Sequence, residues 1–501
     1  MSDWDVVLRG GGVVDPESGL DAVRDVAIAG DRIAAVGTGL PAGPGSVDVA
    51  GQVVTAGFID LHSHVSDLGG LRLQAMDGVT TALELEAGVT PVADAYRRAA
   101  AQGRPVNFGF AASWAMARME AVARLPPEVS LSAFMARISD PAWQRPAEPD
   151  QVSALLTRLA ADLADGALGV GVLLGYAPAA SPAEYLNVAA LAAEAGVPTF
   201  THARDLIEMT PDGLADGAQE IVRAAAETGA HMHYCHVNST SQRHIERVLA
   251  LVARAQAAGS RVTTEAYPYG SGMTGIGAAF LAPERLAERS LSPASLVYAP
   301  TGERIASEAR LRELRQHDPG GLVIIDLLRE DDPADRALLM KSMTFPGAVV
   351  ASDAMPLTWT APPADPHVWP LPPTAITHPR TAGTFSRAIR LLTREAGGFG
   401  ESMESGEFGL AQALAKCSLE PARLLADRVP AMHRKGRLQA GMDADVVVFD
   451  AETMSDRATY ERSTLPSAGI RHVLVNGTFV VRDGAIVLDA RPGRPVRAEP
   501  R

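Results

Sequence analysis

The chain has 501 residues, 47% hydrophobic and 21% charged, with a formal net charge of -14. This length holds one large domain plus a smaller one, and the negative charge argues against nucleic acid or an anionic membrane surface as a partner. Two cysteines, Cys235 and Cys417, exclude a disulfide framework and a CxxC metal knuckle, and make a reducing, cytoplasmic setting the simplest expectation.

The first residues, Met1-Ser2-Asp3-Trp4-Asp5, carry neither the basic region nor the apolar run of a secretory leader. No apolar stretch reaches the ~18 residues that a transmembrane helix needs. Up to residue 54 the texture is one of short strands and tight turns. Val6-Val7-Leu8 is stopped by Gly10-Gly11-Gly12, and Val23 to Ile28 turns at Gly30-Asp31 into Ile33 to Gly37. Residues 1–54 therefore read as the N-terminal part of a small β-domain.

From residue 55 strand-like runs alternate with alanine-rich helical segments, as a parallel α/β fold requires. The strands are predicted at 53–59, 78–86, 106–112, 169–172, 197–202, 231–237, 261–267 and 348–353. Helices are expected at 91–101, 149–165, 181–195, 214–228, 244–258, Thr384 to Ala396 and Glu407 to Lys416. Residues 270–345 break the rhythm with proline turns and a charged segment, and read as an elaboration covering a cleft. After Gly436 the β texture returns, with Asn476-Gly477 a hairpin signal between apolar runs. The expected architecture is a (β/α)8 TIM-like barrel over 55–434. It is flanked by a β-sandwich built from 1–54 and 435–501.

The polar residues fall where such a barrel performs chemistry. His62 and His64 follow an apolar run and are separated by one residue, so strand periodicity turns both imidazoles to the same side. His202, His236 and Asp353 each end a later predicted strand, and strand ends gather at the mouth of a barrel. Neutral imidazoles suit a metal ion, and an acid beside them suits proton transfer. Taken singly, each of these residues also fits a structural histidine or a turn acid. His231 and His233 compete with His236 for a ligand role. Glu84 and Glu86 share a face of the second strand, where burial is costly without a cation or donors. Glu86, nearer the strand exit, is the expected ligand, and Glu265 a weaker candidate for substrate or network contacts.

The stretches GFIDLHSH (57–64), GVTTALELEAG (78–88), FTHARD (200–205), HYCHVNS (233–239), EAYPYGSG (265–272), VVASDAMP (349–356) and HPRTAGTFSRAI (378–389) occur in a specific order. In them, and in the tail stretches 436–450 and 469–481, the chain resembles the amidohydrolase superfamily, within it the D-aminoacylase or N-acyl-D-amino-acid deacylase group. That resemblance implies zinc-dependent hydrolysis, by metal-activated water, of a small-molecule N-acyl amide, with one or two Zn2+ ions. It implies metal ligation by His62, His64, His202 and His236, acid-base catalysis by Asp353, and a grip on the substrate carboxylate by Tyr176. Two departures stand out. The second strand of the group carries a zinc-binding cysteine where this chain reads Glu86-Ala87-Gly88, so Glu86 is expected to substitute, with Glu84 the alternative. A lysine of the group falls at Asn238, which leaves the substrate carboxylate to Asn238 itself, Arg204 or Arg380. A cyclic-amidase or deaminase of the same superfamily, and a non-catalytic metal-binding scaffold, are the rival expectations.

Overall fold

The apolar runs of the middle of the chain form eight parallel strands: β1 (Phe58–Asp60), β2 (Val79–Val89), β3 (Asn107–Ser113), β4 (Val170–Leu173), β5 (Thr199–His202), β6 (Met232–Tyr234), β7 (Val262–Ala266) and β8 (Ala348–Val350). The computed structural model describes residues 4–126, 131–365, 367–394 and 408–499. Each strand hydrogen-bonds to the next in chain order, the arrangement of a barrel with helical crossovers. The first and last strands meet just beyond their ends. His64 N–H donates to the Ala354 carbonyl at 2.8 Å, Ala354 N–H to the His62 carbonyl at 3.2 Å, and Ser352 N–H to Asp60 Oδ1 at 3.0 Å. Asp60 also takes Gln74 Nε2 at 2.8 Å, and burial pushes its carboxyl up to about 6.

The helices begin where the sequence places caps. Ser181 accepts from Glu184 N–H ahead of the helix Pro182–Ala195, and Asp216 accepts from Gln219 N–H ahead of Gly217–Thr228. The helix expected at Thr384 to Ala396 runs Arg380–Arg394, and that expected from Glu407 runs Leu410–Cys417. Ala396 and Glu407 themselves lie outside the described residues.

Both termini build one nine-stranded sheet. The join is antiparallel pairing of Val53–Ala56 with Val446–Phe449. Alternation along the second strand sends Val446 and Val448 into a core with Leu8, Val26, Ile28 and Val54. It sends Val447 and Phe449 against Phe58, Val79 and Phe385 of the barrel. The elaboration after β7 carries a four-stranded antiparallel sheet, Ser271–Gly275, Leu296–Tyr298, Glu303–Arg304 and Leu322–Asp326. Its Met273, Thr274, Ile325 and Leu327 form one wall of the pocket at the barrel mouth. Among the described residues no helix is long and apolar enough to cross a membrane.

Candidate active site

Beyond β1 the chain presents His62 and His64 edge to face, ring centroids 4.9 Å apart and Nε2 atoms 3.1 Å apart. Their outer nitrogens are occupied. His62 Nδ1 bonds Glu265 on β7, and His64 Nδ1 bonds Glu84 on β2 at 2.8 Å. Carboxylates there fix the ring orientations and leave both Nε2 atoms facing inward, as metal-binding imidazoles require.

Glu86 occupies the space those nitrogens face. Pairing of β2 with β3 slips between Glu84 and Val89, with Gly88 at φ 62, so the strand end is re-aimed. Gly171 on β4 lets that irregular segment close in, since a Cβ there would lie 2.3 Å from the Glu86 carbonyl oxygen. Glu86 Oε2 lies 3.2 Å from His62 Nε2 and 3.6 Å from His64 Nε2. Its Oε1 lies 2.7 Å from His236 Nε2 and 3.0 Å from His202 Nδ1. One carboxylate thus spans two pairs of histidines contributed by β1, β5 and the turn after β6.

Asp353 completes the group. Its Oδ1 lies 3.5 Å from His62 Nε2 and 3.4 Å from His64 Nε2, while Oδ2 pairs with Arg380 Nη2 at 2.8 Å. Arg380 Nε holds the Asp353 carbonyl at 2.6 Å. Asp353 (φ 49) and His236 (φ 30) both sit in the left-handed region, a strain that surrounding contacts must maintain. The turn at His236 also explains why β6 stops at Tyr234 and not at 237.

The electrostatics call for a cation. Burial alone would push His62 and His64 down, yet Glu86, Glu265 and Asp353 around the first, and Glu84, Asp353 and Glu86 around the second, hold both imidazoles well above the ordinary histidine value. Burial likewise favours a protonated Glu86, but His62, His236 and His202 hold it well below the usual carboxylate range. For Asp353, burial is outweighed by Arg380 and His62, so its carboxyl is also lowered. Protons on buried imidazoles here stand where a metal ion would. Among the described residues four sets of donor atoms lie within 4.8 Å of one another: His62, His64 and Glu86; Glu86, His202 and His236; His62, His236 and Asp353; and His62, Cys235 and Glu265. The buried cluster is capable of holding one or two metal ions, and its nitrogen and oxygen donors suit a divalent first-row ion.

The other expected residues divide. Tyr176 lines the pocket, its hydroxyl 2.8 Å from Thr274 Oγ1, and its ring packs on His202 with centroids 4.8 Å apart. Arg204 does not face the pocket. Its guanidinium is spent on Glu220 (2.8 Å) and on the carbonyls of Pro178 and Ala180 (both 2.7 Å), and this corrects the expectation that it grips substrate. Asn238 is corrected likewise. The short helix Val237–Ser241 turns its amide onto the backbone of Tyr267, with Nδ2 3.2 Å from the carbonyl. Arg380 is buried behind Gly272 and Tyr267 with Nη1 unpartnered; a Cβ at Gly272 would lie 3.8 Å from that nitrogen. His231 and His233 do not join the cluster. His233 Nε2 bonds Glu265 Oε2 at 3.0 Å, and both rings bond Thr263 Oγ1 at 2.9 Å.

The cation that lines the pocket was not foreseen. Arg289, from the elaboration, is 8% exposed, stacks 4.9 Å over Phe280 and pairs with Asp205, while its Nε has no partner. Nothing local in the sequence marks it, because its place depends on a fold-back between distant segments. Tyr267 was closer to view, two residues after Glu265 in a motif already singled out.

Comparison with known proteins agrees with this geometry. The model of the amidohydrolase family matches residues 46–481. The chain is 31% identical to the N-acyl-D-glutamate deacylase of Alcaligenes xylosoxydans xylosoxydans, over 99% of this chain and 97% of that one. Among solved structures, the N-acyl-D-glutamate deacylase from Bordetella bronchiseptica, complexed with zinc and a phosphonate mimic of the tetrahedral intermediate, superposes with a TM-score of 0.75 at 25% identity. That match covers 99% of this chain and all (100%) of the other. A D-aminoacylase crystal structure superposes with a TM-score of 0.74 at 24% identity, with coverage of 99% and 100%.

Proposed function

The chain belongs to the amidohydrolase family, and on that premise we propose that it is a zinc-dependent deacylase of N-acyl-D-amino acids. The observation that carries this reading is Glu86, set between His62/His64 and His202/His236 with Asp353 alongside. His62, His64, Glu86, His202 and His236 would hold the metal, Glu86 in place of the cysteine that the resemblance led one to expect. Zinc bound there supplies Lewis acidity, polarising an amide carbonyl and making water a nucleophile near neutral pH.

The chain's own groups do the rest. Asp353 takes the proton of the attacking water and returns it to the departing nitrogen. Arg380 keeps that carboxylate charged and aimed from behind Gly272 and Tyr267. Arg289 and Tyr176 wall the pocket that takes the amino-acid half, and Arg289 provides the cationic face that Asn238 lacks. Glu265 and Glu84 hold His62 and His64 in the tautomer that leaves Nε2 inward. The D configuration rests on the activity named for the relatives.

Paired N-acyl-D- and N-acyl-L-amino acids, assayed with zinc-reconstituted protein, test this. Release of a carboxylic acid and a free D-amino acid, with the L series hydrolysed at least ~10-fold less efficiently, is expected. Ammonia from a heterocycle, or ring opening of a cyclic amide without deacylation, would establish a deaminase or cyclic amidase instead.

A further inference from the structure

A second cleft of about 820 Å³ adjoins the metal cluster on its other side. It shares His64, Leu131 and Met135 with the pocket described above, and is walled by Ala82, Val89 and Phe110. Arg104 lines it between the helix Val92–Gln102 and β3. This residue is 7% exposed, its guanidinium stacked 5.2 Å from Phe108 and 5.7 Å from Phe110. Burial pushes it down to about 10, so it stays charged at neutral pH.

Its polar edge is unspent. Nε donates to Gln102 Oε1 at 3.1 Å, and neither terminal nitrogen has a hydrogen bond or ion pair with a described residue. Asp67 is the acid that acts on it electrostatically, from beyond ion-pair distance. The contrast with other buried arginines is sharp. Arg118, Arg204, Arg289, Arg380 and Arg437 each face a carboxylate, and Arg72 holds two carbonyl oxygens. Arg104 has neither, and its terminal nitrogens are not among the sealed unpartnered atoms, so they open into the cleft. Aromatic stacking satisfies the faces of a guanidinium, not its edge N–H groups. Of the acids lining the cleft, Glu84 is held through Oε2 by His64 while its Oε1 is buried without a partner, and Asp318 bonds the Tyr298 hydroxyl; Arg98 adds an exposed second cation.

If the amino-acid half of a substrate lies against Tyr176 and Arg289, its acyl half leaves the cluster on the side of His64. We infer that this cleft receives the acyl arm and that Arg104 binds a carboxylate at the arm's far end. The preferred substrates are then N-(ω-carboxyacyl)-D-amino acids, which water cleaves to a dicarboxylate and the amino acid. The inference rests on the deacylase reading but can fail separately from it.

The test measures kcat/KM on zinc-loaded protein for an acyl series from succinyl to sebacoyl, each against the uncharged acyl group of equal length and against N-acetyl. At the best length the charged arm should win by at least ~10-fold, mostly through KM. Arg104→Gln should abolish that advantage and leave N-acetyl turnover unchanged. Equal efficiency for charged and uncharged arms in the wild-type protein overturns the inference without any variant, and leaves the deacylase reading standing. If no N-acyl-D-amino acid is cleaved, that reading falls. Calorimetric binding of the free dicarboxylates then decides the site: binding that Arg104→Gln removes supports it, and absence of binding overturns it.

Discussion

The two ends of the barrel treat buried polar groups in opposite ways. At the starts of the strands, Asp445 accepts from Asn107 Nδ2 (2.9 Å), Lys435 Nζ (2.7 Å) and Asn476 N–H (2.7 Å), while Asn476 Nδ2 bonds Asn107 Oδ1 at 2.8 Å. Every charge there is matched, and the network ties the terminal sheet to β3. At the mouth, equally buried groups lack partners: Glu84 Oε1, Arg289 Nε and Arg380 Nη1. Buried polar groups in native proteins are generally satisfied, so unsatisfied ones beside like-charged acids mark where a ligand or ion belongs. The seam stabilises the fold, and the mouth gives up stability for function.

The largest expected effect lies at the mouth. Asp353→Asn should lower turnover by roughly 10³-fold while metal content and melting temperature stay near wild type. Near-normal turnover would remove Asp353 from the chemistry. The seam should behave in reverse. Asp445→Ala leaves Lys435 with Asp443 alone and strips Asn107 and Asn476 N–H of a buried acceptor, and should cost about 3 kcal/mol in denaturant unfolding, with kcat of the folded protein unchanged. A loss of kcat with no loss of stability would erase the distinction between the two ends.

Arginines sharpen the comparison, and they also show what the sequence could and could not disclose. The barrel, the composite terminal sheet and the gathering of His62, His64, Glu86, His202, His236 and Asp353 were legible, because strand periodicity and strand ends carry that information locally. Arg204 and Arg380 looked alike as candidates for a substrate carboxylate. The difference between them is which acid each meets, Glu220 on the helix behind or Asp353 at the mouth, and that is settled only by packing. Asn238 was misplaced because the turn at His236 reverses the direction of the chain after β6. Arg289 was invisible because it arrives from the elaboration. Arg204→Met should therefore cost about 2 kcal/mol of stability and leave KM unchanged. Arg380→Met should lower kcat, since it removes the group that pairs with the Asp353 carboxylate and holds its carbonyl.

The most gradual effect, spread over a pH window, concerns a satisfied acid away from the mouth. Burial pushes Asp77 up to about 7, against hydrogen bonds from Ser386, Ser467 and Phe385 N–H. A raised carboxyl value means that the folded state holds the proton more tightly than the unfolded chain. Its contribution is complete below about pH 4 and is lost as pH rises towards 7. Stability should decline by roughly 1 kcal/mol per pH unit across that window, and Asp77→Asn should flatten the slope. Urea unfolding at stepped pH measures it, and an unchanged slope in the variant would show that other groups cause it.

The central claim is that Glu86 joins two halves of one metal centre. Metal-free protein and its Glu86→Ala variant, each titrated with zinc, should be compared for bound metal per chain and for hydrolysis of an N-acyl-D-amino acid. The wild type should take up one or two ions and gain activity with them. The variant should bind zinc more weakly and lose several kcal/mol of transition-state stabilisation, roughly 10³-fold in turnover. A variant with wild-type zinc content and wild-type turnover would contradict the account.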